Sequence, residues 1–210
     1  MTRFVLATVA ASTLASAASA SFTGYSVERV ITAGGNSQYQ VFANFSANNL
    51  VFLNAFSFVN VSGNMNARHQ DFLTADGEVG TWQAGSSVSA ADRPEDSWVT
   101  ASGLATSSGW GSALDPGFAN GGIVQNINNG AGWYDATPGT ANTVTAGRML
   151  IMQIVRTAAN DSVYTANLSI TYKVSNTSVP IQLGAFQYTI PAPGAVALAG
   201  LAGLTGRRRR

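Results

Sequence analysis

Asp92-Arg93-Pro94-Glu95-Asp96 places three carboxylates within five residues, and Asp71, Asp76 and Glu78 form a second acidic group. Carboxylate oxygens on loops are hard donors of the kind a calcium ion takes. Asp92, Glu95 and Asp96 are therefore calcium candidates, although neither group has the spacing of a known calcium loop. Two carboxylates about 5 to 9 Å apart in a cleft would instead serve a glycoside hydrolase. The plainer reading of both groups is turn carboxylates in solvent, with Arg93 as a neighbour. His69 is the only histidine. A Ser-His-Asp hydrolase would need it as the base, but no Gly-x-Ser-x-Gly elbow accompanies it. One histidine and no cysteine make a poor zinc site. His69 is expected to be a loop histidine, hydrogen-bonded or in solvent, and no metal or cofactor is expected.

Aromatic residues beside glycines form the second kind of candidate. Trp110 lies in Gly109-Trp110-Gly111, and Trp133 and Tyr134 follow Gly130-Ala131-Gly132. Aromatic rings on flexible loops stack on sugar rings or fill a partner's pocket, so Trp110, Trp133 and Tyr134 are candidate glycan-binding residues. The competing expectation is that they close the open end of a hydrophobic core.

The elements that must position these residues read as strands. From Val163 to Val174, Tyr164, Ala166, Leu168, Ile170, Tyr172 and Val174 alternate with Thr165, Asn167, Ser169, Thr171 and Lys173. This period of two predicts a strand with one face in the core. Tyr25–Ile31 alternates less cleanly, and Tyr39, Val41, Ala43 and Phe45 alternate with Gln40, Phe42 and Asn44. Leu50 to Val61 is almost continuously apolar and predicts a central strand buried on both faces, joined to the preceding strand by a hairpin at Asn48-Asn49. Gly147–Thr157 and Gln182–Ile190 are further strands. Ala159-Asn160-Asp161 is the turn between Gly147–Thr157 and Val163–Val174. Shorter strands are expected at Val79–Trp82, Ser97–Ala101 and Ile123–Ile127. Gly63 to Ala146 is loop-heavy, but four tryptophans at 82, 98, 110 and 133 argue against disorder. It is expected to fold onto one end or face as an insert. No stretch of twelve residues has helical periodicity with caps. The fold class expected is all-β, an antiparallel sandwich or jelly roll.

Residues 21–190 hold six cations against ten anions, a formal charge of −4, while the whole chain stands at +1. The apparent basicity belongs to the two ends. An acidic, sparsely charged body argues against nucleic acid as a partner. The chain has no cysteine, which excludes disulfides, thiolate metal sites and a cysteine nucleophile. Packing alone must hold the domain together.

Residues 1–20 carry Arg3, an apolar run from Phe4 to Leu14 and a small-residue close at Ala18-Ser19-Ala20. These are the three parts of a signal peptide, with cleavage expected after Ala20. The other end reads Pro191-Ala192-Pro193-Gly194, then an apolar run to Leu204, then Arg207, Arg208, Arg209 and Arg210. The prolines stop a strand or helix, and the run is expected to form a short apolar helix. That helix would cover about half to two-thirds of a hydrocarbon core of about 30 Å. The arginines would remain cytoplasmic.

This end resembles the PEP-CTERM sorting signal of exported bacterial proteins, in a planctomycete-type variant. Alanine stands at 192 where the family usually has glutamate, and the apolar run is shorter than the usual spanning helix. The body carries a looser likeness to planctomycete-type PEP-CTERM proteins in Gln40-Val41-Phe42-Ala43-Asn44-Phe45, Gly63-Asn64-Met65-Asn66-Ala67, Asp96-Ser97-Trp98-Val99-Thr100, Ala113-Leu114-Asp115-Pro116-Gly117-Phe118 and Gly132-Trp133-Tyr134. The resemblance implies the export translocon, signal peptidase and an exosortase-like transpeptidase as partners. It implies no activity for the body. The expected organisation is a signal peptide at 1–20, an all-β extracellular domain at 21–190 and a sorting or anchor segment at 191–210. The expected role is a non-enzymatic surface or extracellular-matrix component. The alternatives are a glycan-binding module, with extracellular polysaccharide as partner, and a secreted carboxylate-dependent hydrolase.

Overall fold

A computed structural model of the chain describes residues 21–69, 72–74, 77–79, 82, 93–101, 112–118, 124–135, 144, 146–174 and 179–191. The signal peptide expected at 1–20 and the apolar helix expected after Pro193 lie outside the described residues. In chain order the strands are β1 (Phe22–Ile31), β2 (Ser37–Phe45), β3 (Val51–Ser62), β4 (Ala67–Arg68), β5 (Phe72–Thr74), β6 (Gly77–Val79), β7 (Trp98–Val99), β8 (Ser112–Leu114), β9 (Val124–Gln125), β10 (Trp133–Asp135), β11 (Arg148–Arg156), β12 (Tyr164–Lys173) and β13 (Ile181–Ile190).

Two antiparallel sheets carry the fold, as the alternating pattern predicts. One has the order β1-β2-β11-β7 and the other β13-β12-β3-β10-β8; β4–β9 and β5–β6 are two-stranded ribbons. The core lies between the two larger sheets. Tyr39, Val41, Ala43 and Phe45 of β2 enter it from one side, and Tyr164, Ala166, Leu168, Ile170 and Tyr172 of β12 from the other. These are the faces that the period of two assigns to the interior. Full burial of each such large side chain contributes about 1.5–3 kcal/mol.

β3 departs from the expectation of burial on both faces. It is central in its sheet, but only Phe52, Ala55 and Phe58 are buried. Their spacing of three comes from two bulges. The partners Tyr172↔Phe52 and Thr171↔Asn54 leave Leu53 as an extra residue, and Ser169↔Phe56 and Asn167↔Val59 leave another. Ser57 sits in the second bulge with φ 52°, a left-handed conformation that costs a non-glycine residue about 1–2 kcal/mol. Val51, Leu53 and Phe56 are half-buried, and beyond Phe58 the run turns outward, with Val61 itself in a third irregularity (Thr165↔Ser62, Ala166↔Asn60), so Val59 is 40% and Val61 46% exposed.

The link at Asn48-Asn49 is not a hairpin. β2 and β3 belong to different sheets, because both edges of β2 are already occupied by β1 and β11. The link crosses the sandwich instead. Asn49 takes φ 63° there, and its N–H bonds to Val144 O at 3.1 Å. The Asn48 side chain accepts from Gly147 N at 2.6 Å. The segment from Gly63 to Ala146 is likewise not an appended insert. It supplies β7 to one sheet and β8 and β10 to the other. Of the three shorter strands expected, those at 98–99 and 124–125 lie inside their predicted ranges; the first, expected at Val79–Trp82, meets the strand Gly77–Val79 at Val79, and residues 80 and 81 lie outside the described residues.

Two contacts close the sandwich on the side where the edge strands β1 and β13 meet. Phe22 packs edge-on against Phe186 at 4.8 Å, and Tyr25 against Tyr188 at 5.9 Å. At one end the buried Asp161 carboxylate accepts from Ser37 Oγ and Tyr39 OH, both at 2.5 Å. It also pairs with Arg29 at 3.4 Å and lies 3.9 Å from Arg156. One carboxylate on the β11–β12 crossover thereby holds β1, β2 and β11 together.

Candidate functional site

Within the acidic group at 92–96, Glu95 and Asp96 do not converge. Asp92 lies outside the described residues. Arg93–Glu95 form a short 3-10 turn, and the carboxylates of Glu95 and Asp96 point different ways. Glu95 Oε1 accepts from Gly34 N at 2.7 Å and its Oε2 from Asn36 Nδ2 at 2.8 Å. Partial burial pushes its pKa up, but hydrogen bonds from Thr32, Asn36 and Gly34, with the charge of Arg68, bring it below the ordinary glutamate value. Asp96 turns inward, and its Oδ1 lies 3.5 Å from His69 Nδ1. Of the calcium candidates, Glu95 and Asp96 do not share a site: Glu95 fastens the β1–β2 turn while Asp96 faces the interior. Among the described residues no group of three or more His, Cys, Asp or Glu side chains could hold a metal. Asp71 and Asp76 lie outside the described residues, as does the side chain of Glu78.

His69 lies in a loop, as expected, but it is buried instead of being in solvent. Its ring meets Trp82 edge-on at 4.7 Å. Among the described residues neither ring nitrogen has a hydrogen-bond partner, since 3.5 Å to Asp96 is too long for one. The nearby serine, Ser97, gives its hydroxyl to Arg68 O at 2.6 Å and accepts from Val155 N at 2.9 Å. That hydroxyl is engaged with backbone, so Ser97, His69 and Asp96 form no relay.

Of the glycan-binding candidates, Trp110 lies outside the described residues. Trp133 is 1% exposed and donates from Nε1 to Thr100 O at 3.0 Å. It continues an edge-to-face aromatic series through Phe118 to Trp82, with centroids 6.0 and 5.9 Å apart. A buried ring cannot stack on a ligand, so Trp133 is a core residue. Tyr134, one residue on, faces the other way and is 46% exposed. Of the glycines before them, Gly130 turns the chain at φ 89° with open space around it, and Gly132 serves close packing. A Cβ on Gly132 would sit 2.8 Å from Ala55 O, so Gly132 lets this chain segment approach β3.

The structure places Tyr134 in a row that sequence reasoning missed. Tyr134 is opposite Asn54 on β3, and Asn54 is opposite Thr171 on β12. Trp133, Ala55 and Ile170 form the adjacent row and point into the core, so the Tyr134-Asn54-Thr171 row lies on the outer face. Asn54 Oδ1 and Thr171 Oγ1 are buried without hydrogen-bond partners among the described residues. Each such atom costs about 1–3 kcal/mol. The available signal was Asn54 itself, an amide inside an apolar run.

Of the sorting-motif residues, Pro191 is described. Its carbonyl accepts from Tyr39 OH at 3.4 Å, so the chain leaves the sandwich beside the Asp161 cluster. Ala192, Pro193, Gly194 and Arg207, Arg208, Arg209 and Arg210 lie outside the described residues. Among the described residues no helix is long and apolar enough to cross a membrane. No family model matches the sequence, and no curated protein or solved structure matches the chain.

Proposed function

We propose that this protein is an exported β-sandwich of the cell surface or extracellular matrix, sorted by its C-terminal segment and non-enzymatic in its body. The observation that carries this reading is the use made of the reactive side chains. Asp161 and Glu95 fasten turns and strands, Ser97 bonds backbone and Trp133 fills the core. These groups serve a body that has no cysteine to staple it. The two chain ends supply the address. Signal peptidase is proposed to cut after Ala20, and an exosortase-like transpeptidase to act at Pro191-Ala192-Pro193. The last strand supports this division, because β13 runs to Ile190, which is buried. Processing beyond Pro191 would leave the sandwich whole.

Truncation after Pro191 in the native host tests the reading. The expected result is release of a folded body into the medium, detected by immunoblotting of culture supernatant against the full chain. Retention of the truncated protein on cells, equal to that of the full chain, would overturn it.

A further inference from the structure

The outer face of the five-stranded sheet joins a half-exposed aromatic ring to two polar groups with unused hydrogen-bonding capacity. Tyr134, Asn54 and Thr171 occupy directly opposed positions on β10, β3 and β12. Directly opposed side chains in an antiparallel sheet have Cβ atoms about 4.5–5.5 Å apart. Tyr134 shows its ring to solvent. Among the described residues, Asn54 Oδ1 is an acceptor without a donor, and Thr171 Oγ1, on a residue only 4% exposed, has neither donor nor acceptor. Along this face β12 adds Thr165, Asn167 and Ser169, all uncharged, and a single cation, Lys173.

These three groups specify a ligand. It must carry hydroxyls that donate to an amide oxygen and exchange with a threonine. It must offer a flat C–H face to an aromatic ring, and it needs no strong charge. The geometry points to a binding site for a neutral, hydroxyl-rich polysaccharide, with Tyr134 as the platform and Asn54 and Thr171 as the hydrogen-bonding pair. The pyranose ring supplies both the apolar face and the hydroxyls. An acidic polymer is a poorer match, since Lys173 is the one charge β12 puts on this face. Both oxygens are buried, so the proposed sugar reaches them only when a neighbouring side chain on this face moves aside. This site replaces the one expected from Trp110, Trp133 and Tyr134, retaining Tyr134. It depends on the export reading only for where the polymer is met, and binding is measured in solution, so the two fail separately.

The test is affinity electrophoresis of the full chain in mild detergent against soluble β-glucan, mannan and, as an acidic comparison, alginate. Retardation by a neutral polymer and not by alginate is expected. Y134A should weaken it about tenfold, and T171V about fivefold. T171V should also raise the melting temperature, because it deletes an unpaired buried hydroxyl. That pairing of weaker binding with a more stable fold separates a ligand contact from a structural one. The proposal is overturned by no retardation in either neutral polymer, by preference for alginate, by unchanged binding in both variants, or by a lower melting temperature in T171V. Dimerisation lost in Y134A without polymer binding would also overturn it, by showing that a second copy covers the face.

Discussion

Glu95 shows how a residue with catalytic credentials is used for construction. Its two oxygens take the Gly34 amide and the Asn36 side chain, which closes the turn between β1 and β2 from a segment about sixty positions away. The carboxylate form accepts these bonds, and its pKa is accordingly lowered. A carboxylate with a depressed folded-state pKa adds stability above the unfolded-state value, about 4.3, and loses it as pH falls through the folded value. The Gly34 amide should therefore titrate with a midpoint below that of an unperturbed glutamate. E95Q should abolish the titration, and a pH series of amide NMR spectra reads both. Asp96, its chain neighbour, reports to His69 on the inside. Adjacent residues in an irregular segment share no face rule, so their divergence was not readable from spacing.

At the scale of elements, alternation made β2 and β12 legible residue by residue, because one face of each meets the core and the other does not. β3 was only half legible. Its run of apolar residues read as two buried faces, whereas two bulges select Phe52, Ala55 and Phe58, leave Val51, Leu53 and Phe56 half-buried and expose Val59 and Val61. A bulge depends on what the partner strand does, and the partner is a hundred residues away. The short strand β10 depends on Gly132 in the same manner. Any Cβ there would meet the Ala55 carbonyl at 2.8 Å and Phe56 Cα at 3.1 Å, both backbone atoms that cannot yield cheaply. G132A should lower stability by about 1–3 kcal/mol. It should do so by pushing β10 off β3, and urea denaturation followed by tryptophan fluorescence would register the change through Trp133.

For the molecule as a whole, stability without disulfides falls to the aromatic core and the buried polar cluster. Burial raises the hydroxyl pKa values of Tyr25, Tyr164 and Tyr188, and burial with Asp161 raises that of Tyr39. Groups whose folded pKa exceeds the unfolded one stabilise fully below the unfolded value, about 10, and lose that contribution as pH rises through the folded value. Alkaline unfolding should therefore begin above about pH 10 and be cooperative. Absorbance at the phenolate band should rise together with loss of near-ultraviolet circular dichroism. Ionisation of Tyr25, Tyr39, Tyr164 and Tyr188 well before unfolding would contradict the burial described here. The same cluster holds the Pro191 carbonyl, so the exit of the chain is part of the folded body.

From the residues alone came the all-β class, the inward faces of β2 and β12, the absence of any disulfide and the two terminal segments with their expected addresses. Each depends on local pattern or composition, which survives without a partner strand. Tertiary structure alone decided that Asn48-Asn49 crosses between sheets, that Gly63–Ala146 builds both sheets, and that Trp133 is interior while Tyr134 is not. It also decided that Asn54 and Thr171 come to lie beside Tyr134. Those outcomes depend on strand order and register, which are set by contacts between residues distant in sequence, and periodicity within one strand carries no information about which strand lies next to it.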